Sequence, residues 1–237
     1  TQTAGQSLTA QQPLNNIARV TVQALAAVLG GTPSLHTNSY DEALALPSEE
    51  AVRVALRSQQ ILADESGAGD IVDPLGGSFA VESLTDEVES EAMTYIEEIR
   101  GMGDGSMRAG VLTGIEQGYF QREIQEAAYE YQQRVEAGDE TVVGVNAYET
   151  EEDTEPELLT VDESVQAHQR DRLAAVKEER DDEAVEAALA GLETATENGE
   201  NVMPAIIDAV KCYATVGEIM SVFEDEFGSY QETISVA

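Results

Sequence analysis

Residues 32–47 read TPSLHTNSYDEALALP, and the way this stretch is taken decides the fold. It begins without helical period and ends polar, so Pro33–Thr37 is expected to form a short strand that hands over to a polar loop. Helical patterns flank it. Upstream, residues 13–29 place Ile17, Val20, Leu25 and Val28 on one face, with Asn15 or Asn16 as the start and Gly30–Gly31 as the stop. Downstream, Ser48 has the side chain of an N-cap, Glu49 and Glu50 suit the first turn, and Val52, Ala55, Leu56, Ile61 and Leu62 follow before Gly67 and Gly69.

The same alternation continues outward. IVDPLGGSFAVESLTDEV (71–88) reads as a short apolar strand, a loop on Pro74, Gly76 and Gly77, and a helix from about Leu84 to Ile99. GMGDGSMRAG (101–110) is glycine-rich and reads as irregular. A short helix is expected at 108–117, and a longer one after Gly118, running to about Ala137 and stopping at Gly138. TVVGVNAY (141–148) has the β-branched residues of a strand. Strands alternating with helices imply parallel β/α units, and three strands cannot close a ring that needs eight. The expectation is therefore an α/β fold: about the last three strands of a partial (β/α)8 TIM barrel over residues 1–148. An acidic linker is expected at 149–161. Helices at about 162–180, 182–197 and 203–226, with a break near Ala214–Thr215, would make a helical C-terminal extension, 162–237.

Charge is the strongest compositional signal. Asp and Glu number 47 and Lys and Arg 12, a formal charge of −35. Such a field repels nucleic acid and anionic lipid. With 42% hydrophobic residues at structural periods, the acidity reads as a folded surface and not as disorder. Molar salt shortens the Debye length to about 3 Å, so the composition suits a halophile's cytoplasm and implies partial unfolding at low salt. No run approaches the roughly 20 apolar residues of a membrane span. A single cysteine, Cys212, leaves no disulfide framework within the chain. The opening at Thr1 reads as part of a longer polypeptide or one piece of a split one.

His36, Asn38, Ser39, Tyr40 and Asp41 gather where a strand should meet its loop, the place where barrels of this kind bind ligands. They offer neutral donors and acceptors for a polar organic ligand; a helix-capping loop with a satisfied histidine explains them as well. TQTAGQSLT (1–9) reads as a second strand end, with Gln2 and Thr3 able to face a substrate. VDPLGGS (72–78) reads as a tight loop, lacking the spacing of a phosphate-binding or dinucleotide motif. His36 and His168 are far apart, and no helix carries paired histidines, so no metal site is expected. No Gly-x-Ser-x-Gly or Cys–His arrangement is present. EEDTEPE (151–157) reads as solvated surface and lacks the order of a calcium loop.

Several stretches together resemble the methylmalonyl-CoA mutase family, in particular its large catalytic subunit. They are TQTAGQSLT, PLNNIARVTVQALAAVLGGTPSLHTNSYDEALALP, VDPLGGSFAVESLTDEV, QREIQEAAYEYQQRVEAG, VVGVNAYE and ATVGEIMSVFEDEFG. They cover nearly all of the chain, and Ala147 stands where the family's GVNKY has lysine. The resemblance implies an adenosylcobalamin-dependent isomerase that interconverts methylmalonyl-CoA and succinyl-CoA by a radical 1,2-shift. Isobutyryl-CoA or ethylmalonyl-CoA mutases, or a non-catalytic subunit of a heterodimeric mutase, are the alternatives. It implies an acyl-CoA substrate and, as partners, an N-terminal barrel half and a cobalamin-binding domain or subunit that holds most of the cofactor, in a dimer. The family's substrate-contacting histidine precedes the pair matching Thr1–Gln2, so no catalytic residue is assigned here and the fragment alone is expected to be inactive. Gln2, His36, Asn38, Ser39, Tyr40 and Asp41 are the implied substrate and CoA site. Glu126 matches a glutamate facing the adenosyl ribose. This arrangement requires His36–Asp41 and Glu126 to converge at one mouth of the barrel.

Overall fold

The computed structural model describes residues 1–150 and 158–231. They fall into two compact units, Thr1–Leu159 and a second that starts at Thr160. Residues 151–157, which include the EEDTEPE run and the middle of the expected linker, lie outside the described residues.

The first unit opens with a short 3-10 turn, Gly5–Ser7, and continues through α1 (Asn15–Leu29) and α2 (Glu49–Asp64), which pack on each other. Val20 and Ala24 of α1 and Ala51, Ala55 and Leu62 of α2 are buried. Ser48 caps α2 as its side chain implies: Oγ accepts the Ala51 N–H at 3.2 Å. Gly30 ends α1. The asparagines at the start of α1 do not cap it. Leu14 occupies that position, and Asn16 is wholly buried with its amide turned to other partners.

α3 (Phe79–Met102), α4 (Met107–Glu116) and α5 (Tyr119–Ala137) follow. α3 starts five residues before its expected first residue and runs three past its expected last one. The glycine-rich stretch is therefore mostly helical, with only the turn at 103–106 between α3 and α4. Gly110 is required there: a Cβ at this position would collide with the Ile99 carbonyl oxygen, so its absence lets α4 cross closely over α3. Gly138, at φ 80°, ends α5 in the left-handed conformation.

The strands depart most from expectation. The strand at Pro33–Thr37 contracts to one parallel bridge between Gln2 and His36. The segment at Ile71–Val72 is a series of bends, with Val72 95% exposed. TVVGVNAY is a turn closed by the Gly144 N–H on the Ala147 carbonyl at 2.7 Å. The physical reason is that a parallel strand takes its hydrogen bonds from neighbouring strands. Among the described residues the bridge between distant segments is Gln2–His36, while Val143 and Ala147 bridge each other within their own turn, so β-branched segments without neighbours relax into turns. Among the described residues the expected partial barrel is therefore not formed, and α3 stays open. α3 has no buried residue, although Leu84 and Val88 stand a turn apart on it at 61% and 65% exposure.

The second unit contains α6 (Glu163–Glu179), α7 (Asp182–Glu197), α8 (Met203–Lys211) and α9 (Val216–Phe227), with the expected break at Ala214–Thr215. α7 packs on α8 and α9 around Leu192, Ala209 and Ile219, with Leu189, Ile206, Val222 and Phe223 closing the cluster. Thr215 and Glu218 form a reciprocal capping box at the start of α9. Arg180 braces it, donating to both Glu218 oxygens at 2.8 and 2.7 Å and to the Tyr213 carbonyl at 3.1 Å. That pairing, with the Thr215 amide, holds the Glu218 carboxyl well below the usual range. Among the described residues no helix is long and apolar enough to cross a membrane.

Candidate functional site

The parallel bridge between Gln2 and His36 organises the site. The Thr3 N–H donates to the His36 carbonyl at 3.1 Å, and the His36 N–H donates to the Thr1 carbonyl at 2.9 Å. This joins two segments more than thirty residues apart and sets Gln2 beside His36. Both side chains are exposed and make no hydrogen bond among the described residues. They remain available to an external ligand.

Immediately beyond His36 the chain dives inward. Thr37, Asn38, Ser39, Tyr40 and Asp41 are all buried. Buried polar groups must be paired, and here helices on two sides pair them. From α1, Asn16 Nδ2 donates to the Tyr40 carbonyl at 2.8 Å and to the Thr9 carbonyl at 2.9 Å. Asn16 Oδ1 accepts from Arg19 at 2.7 Å, and Arg19 also reaches the Val143 carbonyl at 2.7 Å. From α2, Gln59 Nε2 donates to Thr37 Oγ1 at 2.9 Å, and Thr37 Oγ1 donates to the Ala55 carbonyl at 3.0 Å. The turn is thus clamped between the two helices.

Within the turn, Thr3 Oγ1 donates to Asn38 Oδ1 at 2.5 Å and accepts the Asn38 N–H at 3.0 Å. Glu42 closes the other side, accepting from Asn38 Nδ2 at 2.5 Å and from the Ser39 N–H at 2.7 Å. Burial pushes the Tyr40 phenol above its usual value; the charges of Glu50 and Asp41 add to this, and a hydrogen bond with Ser48 offsets part of it. Tyr40 is therefore a neutral hydroxyl. Asp41 is wholly buried. Its Oδ2 accepts the Ser48 N–H at 2.9 Å, tying the turn to the first residue before α2, while Oδ1 has no partner. A buried carboxylate oxygen left unpaired among the described residues is costly.

Glu126 stands apart. It lies exposed on α5 and makes no hydrogen bond or ion pair among the described residues. It makes no hydrogen bond with Gln2, His36 or Asn38–Asp41. The helix that carries it is nevertheless fixed. The Tyr95 hydroxyl donates from α3 to Glu123 at 3.1 Å, and the Tyr119 hydroxyl donates from α5 to Glu98 at 2.8 Å.

Of the residues singled out in the sequence, the structure gathers Gln2, His36 and Asn38–Asp41 into one polar turn. Thr3, expected to be able to face a substrate, is instead buried at 4% exposure and donates to Asn38, and Asn16, Glu42, Ser48 and Gln59 are the further groups that hold the turn. Glu42 had a legible signal: Ser39-x-x-Glu42 has the spacing of a capping box. Asn16 had none, because an asparagine at the start of a helix reads as a cap.

Residues 1–229 match the family described as methylmalonyl-CoA mutase. The 2-hydroxyisobutanoyl-CoA mutase large subunit of Aquincola tertiaricarbonis is 44% identical over 234 residues, 98% of this chain and 41% of that protein. Methylmalonyl-CoA mutase of Escherichia coli (strain K12) is 41% identical over 230 residues, covering 97% of this chain and 31% of that protein. The mitochondrial methylmalonyl-CoA mutase of Homo sapiens is 40% identical over 232 residues, 97% and 30%. The chain thus spans 41% of the first of these relatives and less than a third of the other two.

Proposed function

The chain belongs to the methylmalonyl-CoA mutase family, and on that premise we propose that it is part of the substrate-binding barrel of an adenosylcobalamin-dependent acyl-CoA mutase. Its reaction is the interconversion of methylmalonyl-CoA and succinyl-CoA. The observation that carries this reading is the family match over residues 1–229, a range that includes the clamped turn after His36. In the complete enzyme, neighbouring strands from the rest of the barrel pair with the segments at 33–37, 71–73 and 141–148 and cover the open face of α3.

Each residue then has a task. Gln2 and His36 offer free side chains at the rim to the acyl-CoA. Asn38, Ser39 and Tyr40 present a preorganised edge of neutral groups to the CoA moiety, and Asp41 ties that edge to α2 through the Ser48 N–H. Glu126, exposed and unpaired, fits two hydroxyl donors on adjacent carbons and would hold the adenosyl ribose by charge-assisted hydrogen bonds. Adenosylcobalamin, when bound by its own domain, supplies the radical chemistry, so the chain itself positions groups and excludes water. That division suits a site of neutral donors without an acid–base pair. The partners are the rest of the barrel and a cobalamin domain or subunit, in a dimer. The formal charge of −35 supports the reading of a salt-rich cytoplasm, which a melting temperature indifferent to KCl would remove.

The test combines this chain with the remaining barrel and cobalamin domain in molar KCl. Conversion of (R)-methylmalonyl-CoA to succinyl-CoA is expected with adenosylcobalamin. Turnover of isobutyryl-CoA, ethylmalonyl-CoA or 2-hydroxyisobutanoyl-CoA in its place would move the substrate assignment, and no turnover of any of them would point to a structural subunit. Glu126→Ala is expected to weaken adenosylcobalamin binding about tenfold, the loss of one charge-assisted interaction, measured by cofactor titration as well as by rate. Unchanged titration would remove Glu126 from the site.

A further inference from the structure

Glu42 belongs to none of the residues that the sequence marked, yet its carboxylate holds two of them. Oε2 accepts from Asn38 Nδ2 at 2.5 Å, and Oε1 accepts from the Ser39 N–H at 2.7 Å. The Asn38 amide is held at its other end by the Thr3 hydroxyl, which donates to Oδ1 at 2.5 Å. The sense of each bond is fixed. Because Thr3 donates to Oδ1, the amide nitrogen must face Glu42. Because a carboxylate carries no donor, Glu42 can face two N–H groups at once. A glutamine there could not: its NH2 would meet either Asn38 Nδ2 or the Ser39 N–H, donor against donor. Thr3 and Asn38 are 4% exposed and Ser39 is 3% exposed, so water cannot readily replace a lost partner.

We propose that Glu42, keyed through Thr3 and Asn38, is a positioning residue for the acyl-CoA: it locks the turn Asn38–Asp41 in its binding conformation before the ligand arrives. This rests on the reading of that turn as the CoA-contacting segment. Without the lock, the ligand must order the turn as it binds, so affinity falls while the chemical step is spared.

The experiment uses the complete enzyme with its cobalamin domain, and four variants: Glu42→Gln, Thr3→Val, the double variant and Thr3→Ser. Steady-state kinetics, calorimetric titration with the acyl-CoA and cofactor titration are run on each. Glu42→Gln and Thr3→Val should each raise KM and Kd for the acyl-CoA about tenfold, the scale of one lost hydrogen bond to a charged group. kcat should stay within about twofold and adenosylcobalamin affinity should not change. The double variant should be little worse than either single one, since both break one network, and Thr3→Ser should restore binding. Unchanged KM and Kd, a fall in kcat alone, or simple additivity would overturn the role of Glu42. If Glu42→Gln does not fold, Thr3→Val reads the same lock from its other end. A wild-type enzyme that binds no acyl-CoA would sink the functional reading as a whole; one that binds and turns over while the variants match it would sink only the lock.

Discussion

α7–α9 and α3 are helices of similar quality in sequence, yet one set has an interior and the other has none. Leu192, Ala209 and Ile219 are buried among their own neighbours in the second unit. Leu84 and Val88 of α3 are periodic, apolar and open. Amphipathic pattern thus reports which face a helix will bury, and the surface that does the burying can lie in another part of the polypeptide. Sharing of the core between segments is what a barrel demands, whereas a three-helix cluster can complete itself locally.

The largest expected effect tests that contrast directly. Leu192→Ala should destabilise the second unit by about 2–5 kcal/mol, the cost of a cavity in a closed core. Leu84→Ala in this chain should cost less than about 0.5 kcal/mol, as an exposed substitution does. Urea unfolding followed by circular dichroism measures both. Repeating Leu84→Ala in the complete enzyme sharpens the comparison, because a sheet laid against α3 should raise the cost to about 2 kcal/mol or more. Equal costs for the two leucines in this chain would show that α3 already has a core.

A smaller effect separates the units by pH. The Glu218 carboxyl is held low by Arg180 first and then by the Thr215 amide. A folded value below the unfolded one means stability that is present above the unfolded value and lost as pH falls toward the folded one. The second unit should therefore lose melting temperature as pH drops below about 4.5, near the ordinary glutamate value, and Glu218→Gln should flatten that loss. An acid profile identical in the variant would show that Glu218 does not couple α9 to Arg180.

The helices were largely legible because their determinants are local. Ser48, Gly30, Gly138 and the break at Ala214–Thr215 act within a turn or two of their own positions. The strands at 71–73 and 141–148 were legible as β-prone composition, but composition does not supply a ladder partner, and these residues turn instead. At the site, His36–Asp41 could be read as a polar strand end. The two clamps could not: Asn16 and Gln59 act across 24 and 22 residues, on the Tyr40 carbonyl and the Thr37 hydroxyl. Glu126 is the extreme case. Nothing around it distinguishes it from the other carboxylates of α5, and only the family resemblance singles it out.

The smallest expected effect concerns how α5 is held against α3. The Tyr119 phenol is pushed up to about 12, chiefly by its hydrogen bond to Glu98, with burial and the Glu98 charge adding to it. A folded value above the unfolded 10.0 means that the bond's contribution is complete below pH 10 and fades as pH rises through the folded value. Ultraviolet titration of phenolate should therefore show, among the 8 tyrosines of the chain, one late step near 12 that disappears in Tyr119→Phe and moves down in Glu98→Gln. Tyr95, raised by Glu123, should follow in the same direction. If Tyr119 ionises with the bulk of the phenols, α3 and α5 are not tied through this pair. The Tyr95–Glu123 bond would then remain as a side-chain hydrogen bond between the two helices.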